Sequence, residues 1–177
     1  MKPISQILLE YPTDKNLGGR HGHTYGKAYD YLFAGFDRSA KLDIFEVGTE
    51  YGASLLAWRE AFPNANITGL DIIDKVPEKR SDINYIISDI KVFKPEGEFD
   101  IVIDDGSHQL VDVLFTVRNF KLKEGGVMVI EDCQHPKNWY RTIKANTRYH
   151  MEEISLQRFG NKRDNFLIAL HNYGYFQ

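Results

Sequence analysis

Residues 42–52 read LDIFEVGTEYG, and this stretch decides the fold. An apolar run ends in a turn that contains Gly48 and Gly52, and residues 53–62 follow with a helical pattern. The apolar side chains of that pattern are Leu55, Leu56, Trp58 and Ala61. The succession predicts a buried strand, a tight turn and a helix. Gly48 would let the turn run close to a ligand, and Gly52 would permit tight contact between strand and helix.

The same kind of apolar run recurs four more times. The runs are ITGLDI (67–72), INYIISDI (83–90), FDIVIDDG (99–106) and GGVMVIED (125–132). A second helical pattern between Leu110 and Phe120 separates the last two. Strand and helix in alternation predict a Rossmann-like α/β fold, with a mostly parallel sheet and helices on both faces.

The end of the chain has a different pattern. MEEISLQ (151–157) and NFLIALH (165–171) are strand-like and are separated by turn-forming residues 158–164. They predict a C-terminal antiparallel hairpin at the edge of the sheet. Near the other end, a polar, glycine-rich segment at 13–25 precedes an amphipathic helix. We expect its apolar face to comprise Ala28, Tyr31, Leu32 and Phe36.

Size and composition restrict the class of protein. The 177 residues suit one domain, and 42% hydrophobic with 27% charged residues indicates a soluble globule. A formal charge of −3 predicts no nucleic-acid partner. The apolar run at 7–9 is too short for a signal peptide, and no segment is long enough to span a membrane, so we expect a cytoplasmic protein with no membrane partner. The single Cys133 suits a reducing compartment. The oligomeric state stays open, with a homo-oligomer as one option.

Acidic residues end the first three predicted strands. Glu46 precedes Gly48, Asp71 lies about 20 residues beyond the glycine turn, and Asp89 ends the third run. Such an edge predicts an adenosine site, with Asp71 on the ribose hydroxyls and Asp89 near the adenine. The turn alone is equally compatible with a connection that binds nothing. Glu46 and Glu50 disfavour the pyrophosphate of a dinucleotide, whereas a sulfonium cation would tolerate them.

The fourth and fifth runs end in a second acidic group. Asp104 and Asp105 end the fourth, and Glu131 with Asp132 ends the fifth. Asp105, Glu131 and Asp132 predict a site for Mg²⁺ or Mn²⁺, and His108 is the candidate base for a hydroxyl proton. Three alternatives remain: Asp104 orients the following turn, one carboxylate of the 131–132 pair is merely solvated, and His108 is structural.

These motifs resemble the class I S-adenosylmethionine-dependent methyltransferases, and in particular the metal-dependent sugar O-methyltransferases of the macrocin and mycinamicin type. The resemblance rests on Asp105, Ser107 and His108, on the 131–132 acidic pair, and on an N-terminal element of Thr13-Asp14-Lys15, His21 and Tyr25. It implies that the N-terminal loop closes over S-adenosylmethionine. The cofactor contacts so predicted are Lys15, His21, Tyr25, Glu46, Gly48, Tyr51, Gly52, Asp71, Ile72, Asp89 and Asp104.

The predicted organisation is one methyltransferase domain over 1–177. Residues 1–38 would cover the cofactor, 39–146 would form the βαβ core, and 147–177 the hairpin. The predicted activity is methyl transfer to a hydroxyl of a sugar or other small acceptor. Two alternatives stay open: a catechol-like phenol as acceptor, and a non-catalytic module that only binds the cofactor. Trp139 and Tyr140 either line the acceptor pocket or pack in the core.

Overall fold

The computed structural model describes residues 1–16, 23–156 and 166–174. The helices are α1 (Ile4–Leu8), α2 (Gly26–Leu32), α3 (Ala53–Ala61), α4 (Leu110–Asn119) and α5 (Pro136–Lys144), and a 3-10 turn covers Asp14–Asn16. The strands are β1 (Asp43–Val47), β2 (Asn66–Asp71), β3 (Ile83–Ile87), β4 (Glu98–Asp104), β5 (Lys121–Ile130), β6 (His150–Ser155) and β7 (Phe166–His171). Among the described helices, none is long and apolar enough to span a membrane.

The strands form one seven-stranded sheet in the order β3-β2-β1-β4-β5-β7-β6. The first five are parallel, as the repeated Ile- and Val-rich runs predict. The chain moves outward from β1 to β3 and then returns to place β4 on the other side of β1. The order therefore reverses between β1 and β4, where the carboxyl ends of parallel strands leave room for a ligand.

Two apolar layers cover the sheet. One lies under α1, α2 and α3 and includes Trp58 and Phe33, and the other lies under α4 and α5 and includes Phe120 and Ile143. The predicted arrangement of helices on both faces is confirmed. The predicted face of α2 is wrong in one position, because Tyr29 is buried whereas Tyr31 is 62% exposed. The reason is polar: the Tyr29 hydroxyl donates a hydrogen bond to the buried Glu131.

The C-terminal strands confirm the predicted hairpin. β7 pairs antiparallel with β5, and β6 pairs antiparallel with β7 at the edge. The predicted turn at 158–164 lies outside the described residues. The short helix α5 was not predicted, and it buries Trp139 and Ile143 against the sheet. The Tyr140 hydroxyl donates to the Met151 carbonyl at 3.1 Å, so the structure supports packing for both aromatic residues at 139 and 140.

Candidate active site

A cleft of about 660 Å³ opens at the carboxyl ends of the parallel strands. Its volume is in the range of small-molecule sites. The turns after β1, β2, β3 and β4 form its wall together with the N-terminal segment and Asp132. Nine predicted site residues line it: Lys15, Gly48, Tyr51, Asp71, Ile72, Asp89, Asp105, His108 and Asp132.

The glycine turn and Asp71 form one unit. The Asp71 carboxylate accepts hydrogen bonds from the backbone N–H groups of Thr49 and Glu50, at 3.0 and 2.8 Å. Gly48 has φ +84°, and a Cβ there would lie 2.0 Å from the carbonyl oxygen of Asp105. Gly48 therefore allows the turn to pack against the end of β4. Its expected role in bringing the turn close to a ligand stays a prediction. The Ile73 N–H donates to the other carboxylate oxygen of Asp71 at 3.0 Å, so of about four acceptor sites one stays open for a ribose hydroxyl.

Two predicted contacts stand at the mouth of the cleft. Tyr51 and Ile72 are 62% and 63% exposed, so their apolar surfaces are available to a ligand. The Lys75 ammonium lies 5.8 Å from the centre of the Tyr51 ring. Gly52 begins α3 with φ +79° and packs against Val76. Val76 lies in the loop after β2, so Gly52 permits close contact between that loop and the start of α3, and its contact with a cofactor stays a prediction.

Glu46 and Asp104 lie behind the cleft wall. The Glu46 carboxylate is fully buried and accepts hydrogen bonds from Ser54 Oγ (2.9 Å) and Trp58 Nε1 (3.0 Å). Asp104 is also buried and accepts a hydrogen bond from the Gly106 N–H at 3.3 Å. Burial raises the pKa of Asp104 to about 6. Both carboxylates thus support the turns of the site, and direct contact with a cofactor stays a prediction for each.

Lys15 is the buried cation of the site. Its ammonium lies 2.5 Å from Asp105 Oδ2, 2.9 Å from Glu131 Oε1 and 3.3 Å from Glu46 Oε1. Although burial alone lowers the pKa of Lys15, the three carboxylates raise it well above its ordinary value. The carboxylates come from the ends of three neighbouring strands, so one N-terminal side chain joins them.

Three groups on the cleft side of Lys15 converge. Asp105, His108 and Asp132 each offer a ligand atom within 4.8 Å of the others. His108 Nε2 lies 3.6 Å from Asp132 Oδ2. His108 (φ +53°) and Asp132 (φ +54°) have left-handed backbone conformations that are uncommon for such residues. Strained backbone of this kind clusters at functional sites, where the surrounding structure holds it in place.

The structure places Glu131 on the inner side of this group. Its carboxylate accepts hydrogen bonds from the Tyr29 hydroxyl and from Lys15. Among the described residues, the cluster with metal-ligand spacing comprises Asp105, His108 and Asp132. Two of the three predicted metal ligands are therefore together with the predicted base, and Glu131 as a ligand stays a prediction. Burial raises the pKa of Glu131 well above its ordinary value and also raises that of Asp105.

The N-terminal segment is tied to the site at both of its described ends. The Tyr25 hydroxyl donates to Asp132, and the Tyr25 N–H donates to the Lys15 carbonyl at 2.9 Å. The His23 N–H donates to the Asp14 carbonyl at 2.6 Å. His21 lies outside the described residues, and its contact with the cofactor stays a prediction. Tyr25 is fully buried beside Asp132, and its contact with the cofactor stays a prediction.

Three residues of the site were missed by sequence reasoning. His23 Nε2 lies 3.3 Å from Asp132 Oδ1, and Tyr29 binds Glu131. Asp112 accepts a hydrogen bond from Ser107 Oγ at 2.7 Å and pairs with Lys91 at 3.2 Å, so it holds the loop that carries His108. A signal existed for Tyr29, because it follows Tyr25 by one helical turn and shares its face. The contact of His23 with Asp132 and that of Asp112 with Lys91 join segments that are separate in sequence, whereas Ser107 and Asp112 are only five residues apart.

The charge of the cleft indicates which kind of ligand it would favour. Among the described residues that line it, seven are acidic and three are lysines. A cationic ligand such as a sulfonium compound would be favoured there, and a pyrophosphate would be repelled. Oxygen donors suit Mg²⁺ or Mn²⁺. Asp105 and Asp132 offer carboxylate oxygens within 4.8 Å of each other, which is the chemistry and the spacing of a candidate site for a divalent cation.

Comparison of the sequence with known proteins finds relatives that are named as sugar O-methyltransferases. A scan against protein-family models found no match. Over 147 residues the chain is 31% identical to the 8-demethyl-8-α-L-rhamnosyl tetracenomycin-C 2′-O-methyltransferase of Streptomyces olivaceus, covering 71% of this chain and 39% of that protein. It is 34% identical over 145 residues to the mycinamicin VI 2″-O-methyltransferase of Micromonospora griseorubida, covering 73% and 35%. The chain thus spans little more than a third of the length of these relatives.

Solved structures share the fold. The MycE methyltransferase of the mycinamycin biosynthetic pathway, in complex with Mg, S-adenosylhomocysteine and mycinamycin VI, matches with a TM-score of 0.72 at 22% identity. That match covers 96% of this chain and 54% of the other. Methanococcus jannaschii fibrillarin matches with a TM-score of 0.55 at 14% identity, covering 79% and 70%. The Rossmann-like methyltransferase fold expected from the sequence is confirmed.

Proposed function

Since the chain belongs to the sugar O-methyltransferase family and has the class I methyltransferase fold, we propose that it transfers a methyl group from S-adenosylmethionine to a sugar hydroxyl with the help of a divalent cation. One observation carries the proposal. A single cleft joins the glycine turn and Asp71 to the cluster of Asp105, His108 and Asp132. A methyl donor and a hydroxylated acceptor would therefore meet between them.

The residues that line the cleft have different proposed roles according to their position. Asp71 would hold the ribose hydroxyls, with Tyr51 and Ile72 as apolar surface at the mouth and Asp89 near the adenine. Asp105 and Asp132 would hold the divalent cation. Bound S-adenosylmethionine supplies a methyl group on a positively charged sulfur, and Mg²⁺ or Mn²⁺ supplies a Lewis acid that polarises acceptor hydroxyls.

His108 is the proposed base, because its imidazole faces the cleft beside Asp132. The imidazole would accept the proton of the acceptor hydroxyl while the hydroxyl oxygen would form its bond to the methyl carbon. The carbon–sulfur bond would break, with its electron pair left on sulfur. Asp132 would stabilise the imidazolium that results.

The acceptor is proposed as a sugar because the curated relatives are named for rhamnosyl and other sugar hydroxyls. The test is a methyl-transfer assay read by mass spectrometry, with S-adenosylmethionine and Mg²⁺ or Mn²⁺. The acceptors would be rhamnosyl and olivosyl glycosides beside a catechol. We expect methylation of a glycoside and its loss in EDTA. Methylation of the catechol alone would contradict the sugar assignment, and full activity in EDTA would remove the cation. Binding of S-adenosylhomocysteine without turnover on any acceptor would contradict an enzymatic role.

A further inference from the structure

We infer that Lys15 is a resident cation of the acid cluster, which competes with a divalent ion for the carboxylates of that cluster and weakens its binding. The inference rests on the proposed function only in assuming that Asp105 and Asp132 bind such an ion. It assigns to Lys15 a role in setting metal affinity, distinct from the cofactor contact that the family resemblance implies.

The position of the ammonium is the first observation. Lys15 is carried by the 3-10 turn of the N-terminal segment, and its side chain is 1% exposed. The ammonium fills the space between Asp105, Glu131 and Glu46 at 2.5 to 3.3 Å. Since the strands hold these carboxylates in place, the ammonium cannot move out to bulk water without leaving buried acidic groups with no neighbouring cation.

The balance of charge is the second observation. One ammonium faces three carboxylates, so the inner half of the cluster already contains a cation before any metal arrives. Without that ammonium, buried acids at the ends of β1, β4 and β5 would repel one another. Lys15 thus gives the metal-free site a stable arrangement, which a divalent ion would otherwise have to supply.

Asp105 joins the two halves of the cluster. Its Oδ2 contacts Lys15, and the same carboxylate contributes to the group with His108 and Asp132. A divalent ion on that group would share Asp105 with the ammonium, and two cations a few ångströms apart repel each other strongly in a partly buried site. Removal of the Lys15 charge should therefore tighten metal binding.

The test measures Mn²⁺ affinity directly, by calorimetry and by the electron paramagnetic resonance signal of free Mn²⁺. Lys15→Met keeps an unbranched apolar side chain and removes the charge. We expect its Kd for Mn²⁺ to fall at least about tenfold, equivalent to about 1.4 kcal/mol. The matched control is Lys121→Met, which removes one positive charge from an exposed position at the amino end of β5, away from the cleft at the carboxyl ends of the strands. Its Kd should equal that of the wild type.

A second pair of variants covers the case in which Lys15→Met does not fold. Glu131→Gln keeps an acceptor for the Tyr29 hydroxyl, and Lys15→Met combined with Glu131→Gln removes one charge of each sign. The double variant should bind Mn²⁺ more tightly than Glu131→Gln alone. Equal or weaker binding by the folded double variant would overturn the inference. No binding by the wild type would contradict the proposed metal site, and only a gain of binding in the Lys15 variant would then uphold the present inference.

Discussion

Replacement of Gly48 by alanine tests whether the glycine turn after β1 and the end of β4 are one packed unit. A Cβ at this position would lie 2.0 Å from the Asp105 carbonyl oxygen and 2.5 Å from its carbon, whereas real Cβ atoms hardly ever come closer than 3.0 Å. Both neighbours are backbone atoms, which cannot rotate away. The turn and the end of β4 must therefore separate by about 1 Å.

Two costs add up in Gly48→Ala. A side chain at a left-handed φ costs roughly 1–2 kcal/mol, and forced overpacking costs about 1–3 kcal/mol more. The matched control is Gly97→Ala, because Gly97 has φ +83° but nothing within 4 Å of the added Cβ. The control incurs the first cost without the second. Any gain from reduced freedom of the unfolded chain is common to both variants.

The assay is urea denaturation of both variants, followed by calorimetric titration with S-adenosylhomocysteine. We expect Gly48→Ala to lose about 2–5 kcal/mol of unfolding free energy and most of its cofactor affinity. Gly97→Ala should lose about 1–2 kcal/mol and bind the cofactor normally. Equal losses of stability in the two variants would refute the steric argument. Normal cofactor affinity in a folded Gly48→Ala would show that the turn does not form the cofactor site.

Four further predictions address other parts of the molecule. Asp71→Asn should weaken binding of S-adenosylhomocysteine by about 1–3 kcal/mol in calorimetry, because a charged acceptor is lost. Unchanged affinity would show that the ribose does not lie at Asp71. His108→Gln should lower turnover by roughly 10²–10⁴-fold with normal cofactor affinity, and a variant that keeps most activity would exclude the imidazole as the base. Tyr25→Phe should lose about 1–3 kcal/mol in urea denaturation because its hydroxyl donates to a buried carboxylate, whereas the exposed Tyr31→Phe should lose little, and equal losses would contradict the role of that hydrogen bond. Burial lowers the pKa of His171 from 6.5, so the unfolded chain binds this proton more readily and stability should fall as the pH drops through 6.5; His171→Gln should reduce that fall between about pH 7.5 and about pH 5.5, and an unchanged fall would contradict it.

The residues at the strand ends of the site could be predicted from local sequence patterns. Each Ile- and Val-rich run ends in glycine or an acid, and parallel strands bring such ends to one edge of the sheet. Gly48, Asp71, Asp105 and Asp132 were therefore predictable as neighbours across the cleft, which the structure confirms. The fold class followed for the same reason, since burial on both faces leaves a continuous apolar run that is visible in the sequence.

The direction of each carboxylate was decided by the tertiary structure. Residues 104–105 and 131–132 form two acidic pairs, and in each pair one side chain faces inward and the other faces the cleft. The choice depends on the left-handed turn at Asp132 and on how closely the glycine turn packs against Asp105, and neither leaves a periodic signal.

The position of Lys15 was likewise decided by the tertiary structure. Its ammonium meets Asp105 and Glu131 across 90 and 116 residues of chain, so the contact depends on how the N-terminal segment folds over the sheet. Sequence patterns report the local burial of a strand or a helix, because that burial repeats with the period of the element. They contain no comparable record of a single polar side chain that pairs with distant strands, and such a side chain holds this acid cluster together.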